Sequence, residues 1–266
     1  MNGIAIAVIV IAAVGLAGGI VLVIASRILA VKEDKRVVAI TEALPGANCG
    51  SCGFAGCAAY AKAVAAGESV NRCVPGGADT AKKLADIMGT EAEDSEPYKA
   101  FVACRGNTDV TTKRFDYNGI PTCAACNAVY NGDSSCPFGC LGFGDCVRVC
   151  KFDAIHIVKG VAVIDKEKCT GCGACKDICP KRIIYLYPPN REPRPTVMCA
   201  NHELGKDTRV QCKAGCIACG KCVRECEQKA IKLNYYVARI DYTLCNGCGK
   251  CVQGCPVKCI EFMKDV

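Results

Sequence analysis

The first long feature of the chain is an apolar run at residues 4–25, which contains no charged side chain. As a helix it would be about 33 Å long, enough for a bilayer core of about 30 Å. The run predicts a single transmembrane helix. The alternative is a cleaved signal peptide, although the start of the chain lacks a positive charge. Four basic side chains follow within residues 27–36, so the rest is expected on the cytoplasmic side of the cell membrane.

After residue 27 the pattern changes to amphipathic helices and short β-branched strands. The segment 27–44 ends at Leu44-Pro45, because proline cannot continue a helix. Two stretches of β-branched residues around a turn predict hairpins. The pattern predicts helices at 27–44, 58–66 and 76–96, strand or loop at 98–122, hairpins at 154–165 and 230–241, and a proline-rich connector at 187–195.

Cysteine is the residue that sets the chemistry, with 26 copies in 266 residues against two histidines. C-x2-C-x2-C runs are too tight for several relaxed disulfides, and structural zinc usually takes paired C-x2–4-C motifs or histidine. Iron–sulfur clusters fit the runs best. Five oxidised cubane clusters would shift the formal charge of +7 to about −3, so basic charge gives no support to nucleic-acid binding.

The cysteines repeat at an offset of 76 residues. Residues 169–180 read C-x2-C-x2-C-x3-C-P, the run with which bacterial ferredoxins hold two cubane clusters, and this run returns at 245–256. The sequence therefore predicts two tandem modules. The repeated positions are Cys136, Cys140, Cys146, Cys150, Cys169, Cys172, Cys175 and Cys179, followed by Cys212, Cys216, Cys222, Cys226, Cys245, Cys248, Cys251 and Cys255.

A separate cysteine group precedes the repeat. Its spacing is C-x2-C-x4-C-x15-C, and glycines between the first three cysteines let a loop fold tightly around one cluster. We expect one 4Fe–4S cluster on Cys49, Cys52, Cys57 and Cys73.

The fourth cysteine of each ferredoxin run binds the cluster held by the other run. One module departs from this pattern, because Phe143 stands where the other has Cys219. There we expect Cys136 to join Cys140, Cys146 and Cys179. A three-ligand or missing cluster is the alternative. The remaining sets are Cys150 with Cys169, Cys172 and Cys175; Cys255 with Cys216, Cys219 and Cys222; and Cys226 with Cys245, Cys248 and Cys251.

Several cysteines stay outside these sets. Cys104 and Cys126 are interpreted as small buried apolar residues. Cys199, Cys212 and Cys259 are surplus, and Cys259 aligns with Ile183. Five clusters are expected, with six as the alternative if Cys104, Cys123 or Cys199 joins a further site. The sequence has no nucleotide-binding or nucleophile motif, so the expected chemistry is electron relay without a catalytic site.

Together these patterns predict an α+β chain. It has a transmembrane helix at 1–27, a small α-rich 4Fe–4S domain at 28–100, and two tandem bacterial ferredoxin-like modules, each with two 4Fe–4S clusters. The modules are placed at 136–190 and 212–266, with connectors at 101–135 and 191–211.

The segment ANCGSCGFAGC after a single apolar helix, followed by Cys73 and the ferredoxin-type runs, resembles the B subunit of the Rnf complex. Rnf is the ion-translocating ferredoxin:NAD oxidoreductase of bacteria and some archaea. The resemblance covers the whole chain and is to the long form of anaerobes. It implies a protein that accepts electrons from soluble ferredoxin and passes them to membrane and flavin-bearing partners, coupled to Na⁺ or H⁺ translocation.

Two other classes stay open from the sequence. A membrane-anchored polyferredoxin of a hydrogenase or another reductase would lack the ANCGSCG domain, so that motif argues against it. A regulatory iron–sulfur sensor usually needs one labile cluster, whereas this chain has many regularly spaced ligand groups.

Overall fold

The structure is a computed structural model that describes residues 3–28, 34–92, 98–187 and 194–262. Helix α1 is Gly3–Ile28, with side chains described at residue 3 and at residues 9–25. In the described ranges no helix is long and apolar enough to cross a membrane, which contradicts the predicted single transmembrane helix at 1–27.

Residues 34–92 form a small helical domain. Helix α2 (Lys35–Ala43) begins at Asp34, whose carboxylate accepts the backbone N–H of Arg36 at 2.9 Å. The start of the helix predicted from residue 27 and the end of the one predicted to residue 96 lie partly outside the described residues. Helices α3 (Cys57–Ala65) and α4 (Gly77–Met88) complete the domain. Their apolar faces close one core, which includes Ile40, Tyr60, Val64, Val70 and Leu84.

The first ferredoxin-like module, module 1, combines two antiparallel strand pairs with short helices. The hairpin β2–β3 pairs Ile155 with Ile164, and β1 pairs with β4 so that Val102 faces Ile184. Its elements are β1 (Lys99–Val102), α5 (Cys123–Ala128), α6 (Asp145–Val149), β2 (Ile155–Val158), β3 (Val161–Ile164), α7 (Ala174–Ile178) and β4 (Ile184–Tyr187).

Module 2 repeats this architecture. Hairpin β6–β7 pairs Ile231 with Ile240, and β5 pairs with β8 so that Val197 faces Ile260. The structure thus confirms both predicted hairpins, and the connector between the modules lies largely outside the described residues. The elements are β5 (Pro195–Val197), α8 (Gly205–Gln211), α9 (Lys221–Arg224), β6 (Ile231–Asn234), β7 (Val237–Ile240), α10 (Lys250–Gly254) and β8 (Ile260–Phe262).

The two modules are joined by specific contacts across one junction. Arg105 forms an ion pair with Glu261 at 2.9 Å and donates to the carbonyl of Lys258 at 2.9 Å. The hydroxyl of Thr111 donates to the carbonyl of Gln211 at 2.8 Å. The relative position of the modules is therefore fixed by backbone as well as side-chain partners.

Candidate metal centres

The first cysteine group, site 1, consists of Cys49, Cys52, Cys57 and Cys73. Its loop is shaped by left-handed residues, with φ of 77° at Gly50 and 87° at Gly53. Burial raises the pKa of Cys73, and the three other thiols add to the rise, so all four lie close together. The structure therefore brings together the four cysteines that the spacing had grouped.

Site 2 lies in module 1. Cys150, Cys169, Cys172 and Cys175 line one cavity. Burial raises the pKa of Cys175 to about 12, with further contributions from the other three thiols. The backbone N–H of Ala154 donates to Sγ of Cys150 at 3.4 Å. This grouping is the one that the ferredoxin rule gives.

Site 3 is a second cavity of module 1, and it is lined by Cys123, Cys140, Cys146 and Cys179. Burial raises the pKa of Cys146 to about 12, and Cys140, Cys123 and Cys179 add to the effect. Cys136, which the sequence had grouped here, lines another cavity. Cys123 comes from the connector before the repeat, so the repeat carried no signal for it.

Asp145 holds Cys123 beside the rest of site 3. Its buried carboxylate accepts the backbone N–H of Cys123 at 2.9 Å and that of Ala124 at 3.0 Å. Asp145 begins α6, which carries Cys146, and it also pairs with Arg148. One carboxylate therefore ties the first turn of α5 to the helix that carries the neighbouring cysteine.

Site 4 lies between the two modules. Cys104, Cys136, Cys199 and Cys212 line one cavity. Burial raises the pKa of Cys104 to about 12 and that of Cys136 to about 11. Sγ of Cys104 accepts the N–H of Gly106 at 3.3 Å, and Nδ2 of Asn201 donates to Sγ of Cys136 at 3.6 Å. Four cysteines that the sequence left single or misplaced thus form one group.

Each module contributes half of site 4, at equivalent positions. Cys104 lies two residues beyond Val102, and Cys199 lies two residues beyond Val197. Cys136 and Cys212 are related by the offset of 76. The repeat of 76 residues does not reveal the pair Cys104 and Cys199, because these two residues are not separated by that offset.

Sites 5 and 6 lie in module 2. Site 5 contains Cys216, Cys219, Cys222 and Cys255; burial raises the pKa of Cys222 to about 11, and the other three thiols add to the rise. At site 6 burial raises the pKa of Cys251 to about 12, with Cys245 and Cys248 contributing, and the ferredoxin rule adds Cys226 as the fourth cysteine. Ala230 donates its N–H to Sγ of Cys226 at 3.3 Å, as Ala154 does to Cys150.

Cys259 is a buried thiol beside site 5. Its Sγ lies 4.0 Å from Sγ of Cys255. The side-chain contact with Cys259 lowers the pKa of Cys255 to about 5 and that of Cys216 to about 6, while the pKa of Cys259 itself is raised. The equivalent position in module 1 is Ile183, so this thiol is a local difference between sites 3 and 5.

The sites follow one another in space, and two of the junctions are direct hydrogen bonds. The N–H of Cys140 in site 3 donates to Sγ of Cys104 in site 4 at 3.4 Å. The N–H of Cys216 in site 5 donates to Sγ of Cys199 in site 4 at 3.3 Å. Site 4 is therefore in contact with a site of each module.

The other pairs of neighbouring sites are recognised by the effect of a thiol in one site on the pKa of a thiol in the next. Burial raises the pKa of Cys172 in site 2, and Cys49 in site 1 adds to it. Cys175 in site 2 contributes to the raised pKa of Cys146, and Cys222 contributes to that of Cys251. The six sites therefore form a single file from site 1 to site 6.

At sites 2, 3 and 4 the four cysteines line a cavity. In the ranges the structure covers, no three His, Cys, Asp or Glu side chains are grouped so as to hold a single metal ion. Tetrahedral zinc needs four ligands at about 2.3 Å from one ion. Four thiols around a cavity, with N–H groups directed at several sulfurs, suit a 4Fe–4S cluster, which takes up and releases single electrons.

Three family models match the chain at these cysteines. The model described as "Putative Fe-S cluster" matches residues 44–75, which contain site 1. The 4Fe-4S binding domain matches residues 162–185, and the 4Fe-4S dicluster domain matches residues 215–259. The chain therefore binds iron–sulfur clusters of the 4Fe–4S class.

Among curated proteins, similar relatives extend over most of the chain. The B subunit of a Na(+)-translocating ferredoxin:NAD(+) oxidoreductase complex of Acetobacterium woodii is 42% identical over 92% of this chain and 74% of its own length. The B subunit of a proton-translocating ferredoxin:NAD(+) oxidoreductase complex of Clostridium ljungdahlii is 38% identical over 92% and 87%. The B subunit of an ion-translocating oxidoreductase complex of Methanosarcina acetivorans is 38% identical over 89% of both chains.

Proposed function

Since this chain belongs to the B subunits of ion-translocating ferredoxin:NAD oxidoreductase (Rnf) complexes, we propose that it takes electrons from reduced ferredoxin and relays them through six 4Fe–4S sites to partner subunits. The observation that carries this proposal is the single file of four-cysteine sites. A chain of equivalent one-electron sites has the form of a relay, because each site has neighbours at which the electron arrives and leaves.

The proposed ligand sets follow the cavities. We assign Cys123, Cys140, Cys146 and Cys179 to site 3, and Cys104, Cys136, Cys199 and Cys212 to site 4. Three cavities of similar size, each lined by four cysteines, support one kind of cluster at sites 2, 3 and 4. The alternative of an incomplete site at Phe143 then falls away, because Cys123 supplies the fourth thiol.

The residues around the sulfurs have a second role in this proposal. N–H groups that point at a bound thiolate stabilise the more negative, reduced state of a cluster and so raise its reduction potential. Site 4 receives such N–H groups from both modules, at Gly106, Cys140 and Cys216. These groups position the sulfurs and tune the transfer between the modules.

We further propose that the relay operates at the cytoplasmic face of a membrane, with other Rnf-type membrane and flavin-bearing subunits as its acceptors. The relatives are named for translocating sodium ions and for translocating protons. Ions are translocated only across a membrane, and clusters sensitive to oxygen require a reducing compartment.

The test is anaerobic iron and sulfide analysis of the whole chain, with EPR during a redox titration. Six 4Fe–4S clusters give about 24 irons per chain, and five give about 20. Cys123→Ser and Cys136→Ser should each remove about four irons, and the double variant about eight, because the two residues serve different sites. Cys126→Ser is the matched control: Cys126 is buried near Asp133 and lines no proposed site, so iron content should stay full.

The double variant separates the two ligand assignments. If Cys136 completed the same cluster as Cys140 and Cys146, the double variant would lose no more iron than a single one. The relay itself is tested by adding reduced ferredoxin to the wild-type chain. Failure of ferredoxin to bleach clusters that dithionite does reduce would refute the proposed function.

A further inference from the structure

The two modules present the same loop at their last cysteine run. In module 1 it lies between Cys169 and Gly173, and in module 2 between Cys245 and Gly249. Both loops end in a left-handed glycine, with φ of 85° at Gly173 and 74° at Gly249, and α7 and α10 follow at once. The 76-residue repeat therefore provides two copies of one surface, beside site 2 and beside site 6.

In module 1 this surface is covered by the chain that follows the single-cluster domain. A side chain at Gly171 would collide with the carbonyl of Tyr98, and Nζ of Lys99 donates to the carbonyl of Cys169 at 2.7 Å. Cys49 of site 1 lies near enough to contribute to the raised pKa of Cys172. Here an iron–sulfur domain faces the middle cysteine of the run.

In module 2 the equivalent loop is open to solvent. Cys248, which corresponds to Cys172, is exposed, whereas Cys172 is only partly so. Leu244, directly before the loop, is an apolar side chain with 51% exposure, and Asn246 is exposed as well. Lys250 is paired with Glu227, so an apolar side chain rather than a free charge marks this surface. It lies at the end of the file of sites.

We propose that loop 245–249 with Leu244, the site 6 face, is the docking surface for the ferredoxin that donates electrons. This inference rests on the proposed function. The occupant is a small soluble protein with a 4Fe–4S cluster close to its surface, bound as the single-cluster domain is bound on module 1. Transient electron-transfer contacts are small, below about 1,200 Å², which suits one loop and one exposed leucine.

The test uses the cluster-loaded full chain and a reduced two-cluster bacterial ferredoxin, mixed anaerobically in a stopped-flow instrument. Leu244→Glu should lower the second-order rate of cluster reduction at least tenfold, with iron content and reduction by dithionite unchanged. Leu233→Glu is the matched control, since Leu233 is 43% exposed on β6 of the same module, and its rate should stay within twofold of wild type. Leu244→Gln, which adds no charge, replaces the glutamate variant if that one loses iron.

The outcomes separate this inference from the function on which it rests. Suppose that ferredoxin reduces the wild type. The site 6 face is then overturned if the rate of cluster reduction is unchanged in the Leu244 variants, or if Leu233→Glu lowers that rate as much as Leu244→Glu does. If ferredoxin reduces neither the wild type nor any variant, although dithionite reduces all of them, both the site 6 face and the proposed function are overturned.

Discussion

Replacing Asp145 should empty site 3 while leaving the other sites loaded. The Asp145 carboxylate accepts the N–H groups of Cys123 and Ala124, and it is buried. In Asp145→Ala both N–H groups lose their acceptor, and the first turn of α5 is released from α6. Because Cys123 is the proposed ligand that lies outside the repeat, it depends on this anchor.

The magnitude follows from the two hydrogen bonds. A hydrogen bond to a charged group contributes about 1.5–3 kcal/mol net, so losing both should lower the free energy of unfolding by about 3–6 kcal/mol. The pair with Arg148 adds little, because that side chain is 52% exposed and screened by solvent. Asp145→Asn keeps one acceptor oxygen and should cost about half as much.

The assay combines iron analysis with anaerobic urea unfolding. Asp145→Ala should hold about four irons fewer than wild type, and Asp145→Asn should stay nearly full but unfold at lower urea. Asp109→Ala is the control, since Asp109 forms an exposed ion pair with Lys159 at 2.6 Å and should cost under about 1 kcal/mol. Full iron content in Asp145→Ala, with an unfolding curve like that of the control, would refute the anchoring role.

Three further results are expected. Cys259→Ile should lower the reduction potential of site 5, and Ile183→Cys should raise that of site 3, because a thiol donor stabilises the reduced cluster; unchanged potentiometric EPR would contradict this. Inserting a cluster at site 4 at pH 8 should release about four protons, because cluster ligands are thiolates and burial holds the pKa of Cys104 at about 12 and that of Cys136 at about 11. The release is measured by calorimetry in buffers of different ionisation enthalpy. The release should decline as pH rises toward those values. Gly171→Ala should separate the single-cluster domain from module 1, because the added methyl group would collide with the backbone carbonyl of Tyr98 directly before β1. The expected results are faster amide exchange in that domain and slower electron transfer from site 2 to site 1.

What the sequence predicted well is what recurs locally. Hairpins β2–β3 and β6–β7 follow from β-branched residues around a turn, and both appear with the same register. The family and the 4Fe–4S class were predicted from motif spacing, and the comparisons confirm them. Such features depend on residues that are close together in the chain, so they can be predicted from the spacing of residues in the sequence.

What the sequence missed depends on chain segments that meet only in the fold. Cys123 reaches site 3 from the connector through Asp145, and no spacing rule connects positions 123 and 145. Cys104 and Cys199 read as single cysteines because, for each of them, two of the other three cysteines of site 4 lie across the module junction. The apolar run at 4–25 predicted a membrane crossing that the described part of α1 contradicts, since the hydropathy of a run reports its composition and not its place in a fold.

The shared cavity of site 4 has a consequence for how such a chain arose and how it matures. Two cysteines come from each repeat at matching positions, so a single ancestral module could have built this centre only as a symmetric homodimer. Fusion of two gene copies would then have turned the homodimer interface into the interface between the two modules of one chain. During synthesis its set of four cysteines is complete only once Cys212 has been added, after Cys179, the last cysteine of the two centres of the first repeat.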